Sequence, residues 1–342
     1  MPHGHIVDSQ FRPHPLLRTA HLQTILGSLA RPLPRLDLKR ERLTLPDGDF
    51  VDLGFVGEGQ GPLVLLIHGL SGGFQSKYLR GTARLLLDRG FRCVIFQQRG
   101  AGDEPNLLPQ TYHHGASHDL RDVLAELKRR EPSTPLYAVG WSLGGNVLLK
   151  CLGEDGARSP LSAAVAVSAP FRLHECAQHL ARGFARLYQN AMLKELKAML
   201  RRKFDGKPHP PRFDLQRALR ARDFIEYDNA STAPLNGFAD ALDYYEKSAN
   251  RQFLRHIRRP TLILHAADDP FMTADIIPQA EELAPDVTLE LSPSGGHVGF
   301  IAADERGRPF CWAERHIADY LGEQAGARAT ADDRHAAETA SA

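Results

Sequence analysis

The chain has 342 residues, 42% hydrophobic and 24% charged, which is ample material for one large globular core with an inserted or appended piece. Its 42 Lys and Arg offset 41 Asp and Glu, leaving a net charge of +1, so no global field recruits nucleic acid or an anionic membrane, and local patches must be judged separately. The start, Met1 to Asp8, has neither the basic nor the apolar block of a secretory signal, and no segment is apolar for long enough to span a bilayer; a cytoplasmic protein is expected. Cys93, Cys151, Cys176 and Cys311 are scattered without paired spacing and read as reduced thiols. His3, His5 and His14 have no acidic or cysteine partner nearby, so they read as a mobile polar start, with no metal or cofactor implied.

Residues 1–34 read as an arm laid across the domain, apolar at Phe11, Leu16, Leu17, Leu22, Ile25 and Leu26 and cut by prolines. Two alternating segments, 36–45 and 50–56, flank the turn Pro46-Asp47-Gly48-Asp49 and predict an antiparallel hairpin. From Pro62 the pattern changes to continuous apolar runs at 63–67, 92–96, 136–139, 163–167, 261–264 and 287–291. Segments of helical period lie between and after them at 78–89, 117–130, 145–152, 275–283 and 310–321. That alternation predicts an α/β fold with a doubly wound, mostly parallel sheet buried on both faces, built from residues 35–170 and 259–322.

The alternation lapses over 171–258, where helix-period segments occur without a convincing strand; this stretch is expected to be an inserted helical cap. Its first half, 173–204, is apolar at Leu173, Ala177, Leu180, Phe184, Leu187 and Ala191 and turns basic at Lys194, Lys197, Arg201, Arg202 and Lys203. The expected role is a solvated cap helix with its apolar face on the core; transient contact with a lipid surface is the alternative. The tail, 323–342, has almost no large apolar residue and is expected to be disordered.

Gly140-Trp141-Ser142-Leu143-Gly144 follows the apolar run at 136–139 and reads as a nucleophile elbow, a strained strand-to-helix turn that exposes the Ser142 hydroxyl. A serine hydroxyl is a poor nucleophile at neutral pH and needs a histidine to take its proton and a carboxylate to orient that histidine. His297, in Ser294-Gly295-Gly296-His297-Val298-Gly299-Phe300 after the last strand, is the candidate base. His68 and His265 end strands beside small residues and read as structural. Two carboxylates, Asp268 and Asp269, compete for the third role; Asp269 is preferred because it precedes Pro270 and is held extended, leaving Asp268 as a turn or capping residue. The backbone N–H groups of Leu143 and of Leu70, in the glycine-rich loop His68-Gly69-Leu70-Ser71-Gly72-Gly73, are the candidate oxyanion donors.

With these residues the chain resembles the α/β-hydrolases, and within them the YheT-like esterases, the branch that also holds eukaryotic abhydrolase-domain lipases. The likeness is carried by His21-Leu22-Gln23-Thr24-Ile25-Leu26, the His68 loop with Ser76 and Tyr78, Arg99-Gly100-Ala101-Gly102 with Glu104-Pro105-Asn106, and the elbow. Thr232-Ala233-Pro234-Leu235-Asn236-Gly237-Phe238, Asp243-Tyr244-Tyr245 and the Gly295 to Phe300 close extend it. Ala101 departs from the bulkier residue of that branch. The resemblance implies a triad of Ser142, Asp269 and His297 and hydrolysis of short-to-medium acyl esters or acylglycerols. The expected function is therefore a metal-free, cofactor-free serine ester hydrolase acting through an acyl-enzyme on a small-molecule ester, with no nucleic-acid partner. Phe184, Leu187, Tyr188, Phe224 and Phe238 are candidate lining residues of its acyl pocket. An acyltransferase or thioesterase on the same residues is the nearer alternative, and a catalytically silent binding protein the more distant one.

Overall fold

A computed structural model describes residues 2–340. The chain runs β1 (His5–Asp8), α1 (Ala20–Leu29), β2 (Lys39–Thr44), β3 (Phe50–Val56), β4 (Leu63–Ile67), α2 (Lys77–Leu87), β5 (Arg92–Gln97), α3 (Ser117–Arg130), β6 (Leu136–Trp141), α4 (Leu143–Asp155) and β7 (Ala163–Val167). Six cap helices follow: α5 (Leu173–Leu180), α6 (Ala185–Phe204), α7 (Leu215–Arg220), α8 (Phe224–Ala230), α9 (Thr232–Leu235) and α10 (Ala241–Ser248). The chain then returns as β8 (Thr261–Ala266) and β9 (Val287–Ser292), a short ribbon of β10 (Ile301–Ala303) and β11 (Pro309–Cys311), and α11 (Trp312–Ala340).

Nine strands form one sheet in the order β1-β9-β8-β7-β6-β4-β5-β3-β2. The β2–β3 and β3–β5 pairs are antiparallel and the rest parallel, so the hairpin expected from the alternating segments is an appendage to a parallel sheet. Every residue of β4, β6, β7 and β8 is buried, which is why these strands read as unbroken apolar runs. Leu65, Ile67 and Ala138 pack with α3 and α4 on one face, and Val64, Leu66 and Val139 pack with α2 and α11 on the other. Each such valine, leucine or isoleucine contributes about 1.5–3 kcal/mol by leaving water. A third cluster, including Leu193, Leu196, Phe213, Tyr227 and Tyr244, is the cap's own core.

Five local expectations are corrected. The polar start is partly a strand: His5–Asp8 pairs parallel to β9, with Ile6 opposite Leu289, and four exposed residues are too few to show a period. The stretch 173–204 is two helices, broken at Gly183, whose φ is +52°. The helix expected over 275–283 is two short 3-10 turns, Ala274–Ile276 and Ala280–Glu282, because Pro278 removes a donor in its middle. The last helix starts at Trp312, after Pro309–Cys311 has paired with β10. Finally, α11 continues to Ala340 where disorder is expected; Ala, Glu, Gln and Arg, which dominate that stretch, are strong helix formers even where no apolar stripe marks a core face. Residues 341–342 of that tail lie outside the described residues.

Candidate active site

Ser142 lies between β6 and α4 with φ +51° and ψ −117°, a conformation that costs a non-glycine residue about 1–3 kcal/mol. The surroundings hold it there. A Cβ on Gly140 would lie 2.4 Å from the Gly144 carbonyl oxygen, and one on Gly144 would lie 2.4 Å from that of Ile67, so strand and helix cross only because both residues lack a side chain. The Ser142 N–H donates to Val167 O at 2.9 Å, and its carbonyl accepts from Asn146 N at 2.9 Å, starting α4 at Leu143, two residues earlier than its apolar period suggests.

At the end of β8, Asp269 accepts the Phe271 N–H on Oδ1 at 2.9 Å and faces His297 with Oδ2, 2.8 Å from Nδ1. The other ring nitrogen, Nε2, is 2.9 Å from Ser142 Oγ. The fold thus brings Ser142, His297 and Asp269 into one hydrogen-bonded line from sequence positions far apart. Asp268 does not join it; its Oδ1 accepts the Gly296 N–H at 2.9 Å and ties the two loops together, while burial raises its carboxyl above the usual range. The Phe271 ring lies flat on the His297 imidazole, centroids 3.9 Å apart and 11° from parallel.

The His297 loop is held by α1, a helix no sequence period tied to the site. Thr24 Oγ1 accepts the His297 N–H at 2.9 Å. Gln23 donates to the carbonyls of Leu17 and Ile301 and accepts the Ile301 N–H at 2.7 Å, and Arg31 donates to the carbonyls of Val298 and Gly299. The contact is so close that a Cβ on Gly296 would lie 2.5 Å from Ala20 O. Val298 and Phe300 take φ of +58° and +48° to complete the loop. In the sequence, Gln23 and Thr24 stand out only as members of the stretch His21 to Leu26 that carries the family resemblance.

His68 and His265 are buried, and burial lowers both to about 4, so each ring is neutral near pH 7. His68 Nε2 accepts the Gln98 N–H at 3.1 Å, which puts the proton on Nδ1, 2.7 Å from Gly69 O. In the adjoining loop the N–H of Gly69 goes to Tyr78 Oη, Ser71 to Tyr112 Oη, Gly72 to Gly69 O and Gly73 to Ser76 Oγ. Among the described residues the Leu70 N–H is left without a protein acceptor. So is that of Leu143, the first residue of α4, whose donor has no intrahelical partner. A Cβ on Gly69 would lie 3.2 Å from the Ser142 Cβ, which places this loop beside the serine.

Two spaces meet at Ser142 and His297. One is a cavity beneath the cap, walled by Leu173, Leu180, Leu196, Met199 and Phe224 and bordered by Asp228, Tyr244 and Tyr245. Burial raises Asp228 to about 6, although Tyr245 Oη and Thr232 Oγ1 both donate to it. The other is a groove between α1, α2 and α6, lined by Ile25, Leu29, Lys77, Tyr78 and Tyr188. Of the expected lining residues, Phe224 reaches the cavity and Tyr188 the groove; Phe238 packs on Tyr244 in the cap core, and Phe184 and Leu187 are exposed. Lys203, grouped by sequence with the basic helix face, is turned inward. Its ammonium donates to Asn106 Oδ1 and to the carbonyls of Leu108 and Gln110, pinning the end of α6 to the core, and burial lowers it to about 8.

The profile of the alpha/beta hydrolase fold family matches residues 62–304, the stretch that carries the sheet from β4 to β9, the elbow, the cap and the histidine loop. The chain belongs to the alpha/beta hydrolase fold family. It is 39% identical over 317 residues to the protein named "Putative esterase YheT" of Escherichia coli (strain K12), covering 92% of this chain and 93% of that one. Monoacylglycerol lipase of Saccharomyces cerevisiae is 30% identical over 254 residues, 72% of this chain and 56% of the yeast protein. The Pyrococcus furiosus esterase Pf2001 shares the fold, with a TM-score of 0.55 at 15% identity over 86% of this chain and 96% of that one. Among the described residues of this hydrolase, no helix is long and apolar enough to cross a membrane.

Proposed function

We propose that this alpha/beta hydrolase is a serine ester hydrolase working through an acyl-enzyme, with Ser142 as nucleophile, His297 as general base and acid, and Asp269 as the carboxylate that orients it. The observation that carries the reading is the single line of hydrogen bonds, 2.9 Å from Ser142 Oγ to His297 Nε2 and 2.8 Å from His297 Nδ1 to Asp269 Oδ2. In this reading Nε2 takes the hydroxyl proton as Oγ attacks the acyl carbonyl, and Asp269, accepting the Nδ1 proton in a hydrogen bond, keeps the tautomer in which Nε2 is the free base. The Leu70 and Leu143 N–H groups receive the negative oxygen of the tetrahedral intermediate, each such donor being worth about 3–4 kcal/mol in the transition state. The protonated His297 then passes its proton to the leaving alcohol. Water repeats the cycle on the acyl-enzyme and frees the acid.

The acyl chain occupies the cavity beneath the cap, whose apolar walls suit hydrocarbon, and the alcohol leaves through the groove beside α1. Substrates of this shape are short-to-medium acyl esters and acylglycerols, in keeping with the names of the E. coli and yeast relatives. Neither metal nor cofactor enters these steps, and a cytoplasmic setting, with all four cysteines unpaired, belongs to the same reading. The test is hydrolysis of p-nitrophenyl esters from acetate to palmitate. Turnover that vanishes in Ser142→Ala and survives EDTA is the expected result. Equal turnover by Ser142→Ala would overturn the proposal, and turnover only when a thiol leaves or an alcohol accepts would redirect it to a thioesterase or acyltransferase.

A further inference from the structure

The balanced charge of the chain conceals a polarised surface. Residues 182–222 hold twelve Lys and Arg against three Asp and Glu, although the whole chain stands at +1. Most of these cations are exposed. Arg186, Lys194, Lys197 and Arg201 of α6 come together with Arg222, beyond α7, to line one shallow surface groove that contains no carboxylate. Lys197 meets only a backbone acceptor, Ala221 O; among the described residues none of the five forms an ion pair. Five unneutralised cations side by side repel one another, a cost that binding to an anionic surface removes.

The same helix and the residue that caps it carry apolar side chains into solvent. Phe184 is 50% exposed and Leu187 59%, and across the mouth of the groove that leads to Ser142, Leu22 and Leu29 of α1 are 41% and 67% exposed. The two elements touch there: His21 Nδ1 is 2.9 Å from Tyr188 Oη, and the His21 ring is 4.3 Å from that of Phe184. Helical spacing puts Leu187, Ala191, Lys194 and Arg201 along one exposed strip of α6, the last two of them also lining the cationic groove. Apolar side chains flanked by cations are what a helix lying in a lipid interface presents.

We propose that this face of the cap docks on an anionic lipid surface, with Arg186, Lys194, Lys197, Arg201 and Arg222 on the headgroups and Phe184, Leu187, Leu22 and Leu29 entering the interface around the mouth. The inference rests on the hydrolase reading for its purpose, delivery of an ester from the lipid phase to Ser142, and on charge complementarity for its partner. The continuity of the apolar rim with a groove leading to an apolar cavity favours lipid over nucleic acid, which would meet the cations but has no use for the rim.

The test is flotation of the full chain with vesicles of phosphatidylcholine alone or mixed with phosphatidylglycerol, at low and high salt. Binding is expected on the mixed vesicles only and weakens as salt rises. Reversing three cations in Lys194→Glu/Arg201→Glu/Arg222→Glu is expected to weaken it about a hundredfold or more. Leu187→Ser is expected to weaken it less. The triple variant keeps the thermal melting curve of the parent chain and its turnover of a water-soluble p-nitrophenyl ester. No binding, equal binding to neutral vesicles, undiminished binding by the triple variant, or capture of a single-stranded RNA in preference to the mixed vesicles would each overturn the docking proposal. Vesicle binding without ester turnover would instead leave docking standing and defeat the hydrolase reading, so the two fail separately.

Discussion

Gln23→Leu removes the amide that joins α1 to the histidine loop while keeping nearly the same side-chain length. Gln23 is fully buried, and its carboxamide makes three hydrogen bonds, to Leu17 O at 2.7 Å, to Ile301 O at 3.0 Å and from Ile301 N at 2.7 Å. Leucine satisfies none of them. The Ile301 carbonyl keeps a second donor, His14 N at 2.9 Å, so it is not orphaned, but the buried Ile301 N–H loses its acceptor and the Leu17 carbonyl loses a donor. At about 1–3 kcal/mol for a buried group left unpaired, the expected loss is about 2–4 kcal/mol, a large part of a typical stability of about 5–15 kcal/mol. Urea unfolding with an unchanged slope measures it. Because Ile301 closes the loop that presents His297, the same change is expected to lower kcat on a p-nitrophenyl ester about 10- to 100-fold, as a displacement of about 1 Å at a reacting group does, with KM little altered. A variant within about 0.5 kcal/mol of the parent stability, the scatter of an ordinary surface change, and with undiminished kcat would refute the idea that α1 positions the histidine.

Asp269→Asn is expected to lower kcat by about 10³- to 10⁴-fold, whereas Asp268→Asn retains an oxygen for the Gly296 N–H and is expected to cost only a few-fold. The reverse order, in steady-state assays of both variants, would reassign the acid. Gly144→Ala drives a methyl group to 2.4 Å from Ile67 O, with main chain on both sides, and is expected to cost about 3 kcal/mol or more in chemical denaturation; a stable variant would mean that the elbow is looser than drawn. Asp228, raised by burial to about 6, binds its proton more tightly folded than unfolded. It therefore contributes stability that is fully present below about pH 4 and is lost as pH rises through about 6, about 3 kcal/mol in all. Urea midpoints across that interval are expected to show this downward contribution in the parent and not in Asp228→Asn, and identical pH profiles would refute it.

The buried strands were legible because a parallel sheet covered on both faces needs unbroken apolar runs, and β4, β6, β7 and β8 leave almost no other reading. Ser142 and His297 were legible for a related reason. Each sits among glycines that the local backbone requires, and the contacts that would be made by a Cβ on Gly140, Gly144 or Gly296 show why nothing larger fits. The pairing of Asp269 rather than Asp268 with the imidazole follows the local clue of Pro270, which holds the preceding residue extended. What misled was also local: the apolar spacing over 275–283 outweighed Pro278, and the basic run at the end of α6 gave no sign that Lys203 alone turns inward.

The sequence by itself determined the buried strands, most of the helices between them and the candidate side chains, because propensity, period and backbone tolerance act over a few neighbouring residues. Tertiary structure alone decided which distant groups meet. Gln23 reaches Ile301 across 278 positions, Thr24 holds the His297 amide across 273, and Lys203 plugs a loop 93 to 97 residues earlier in the chain. No local pattern encodes those contacts, since each hydrogen bond exists only once folding has removed both partners from water and left them no other partner.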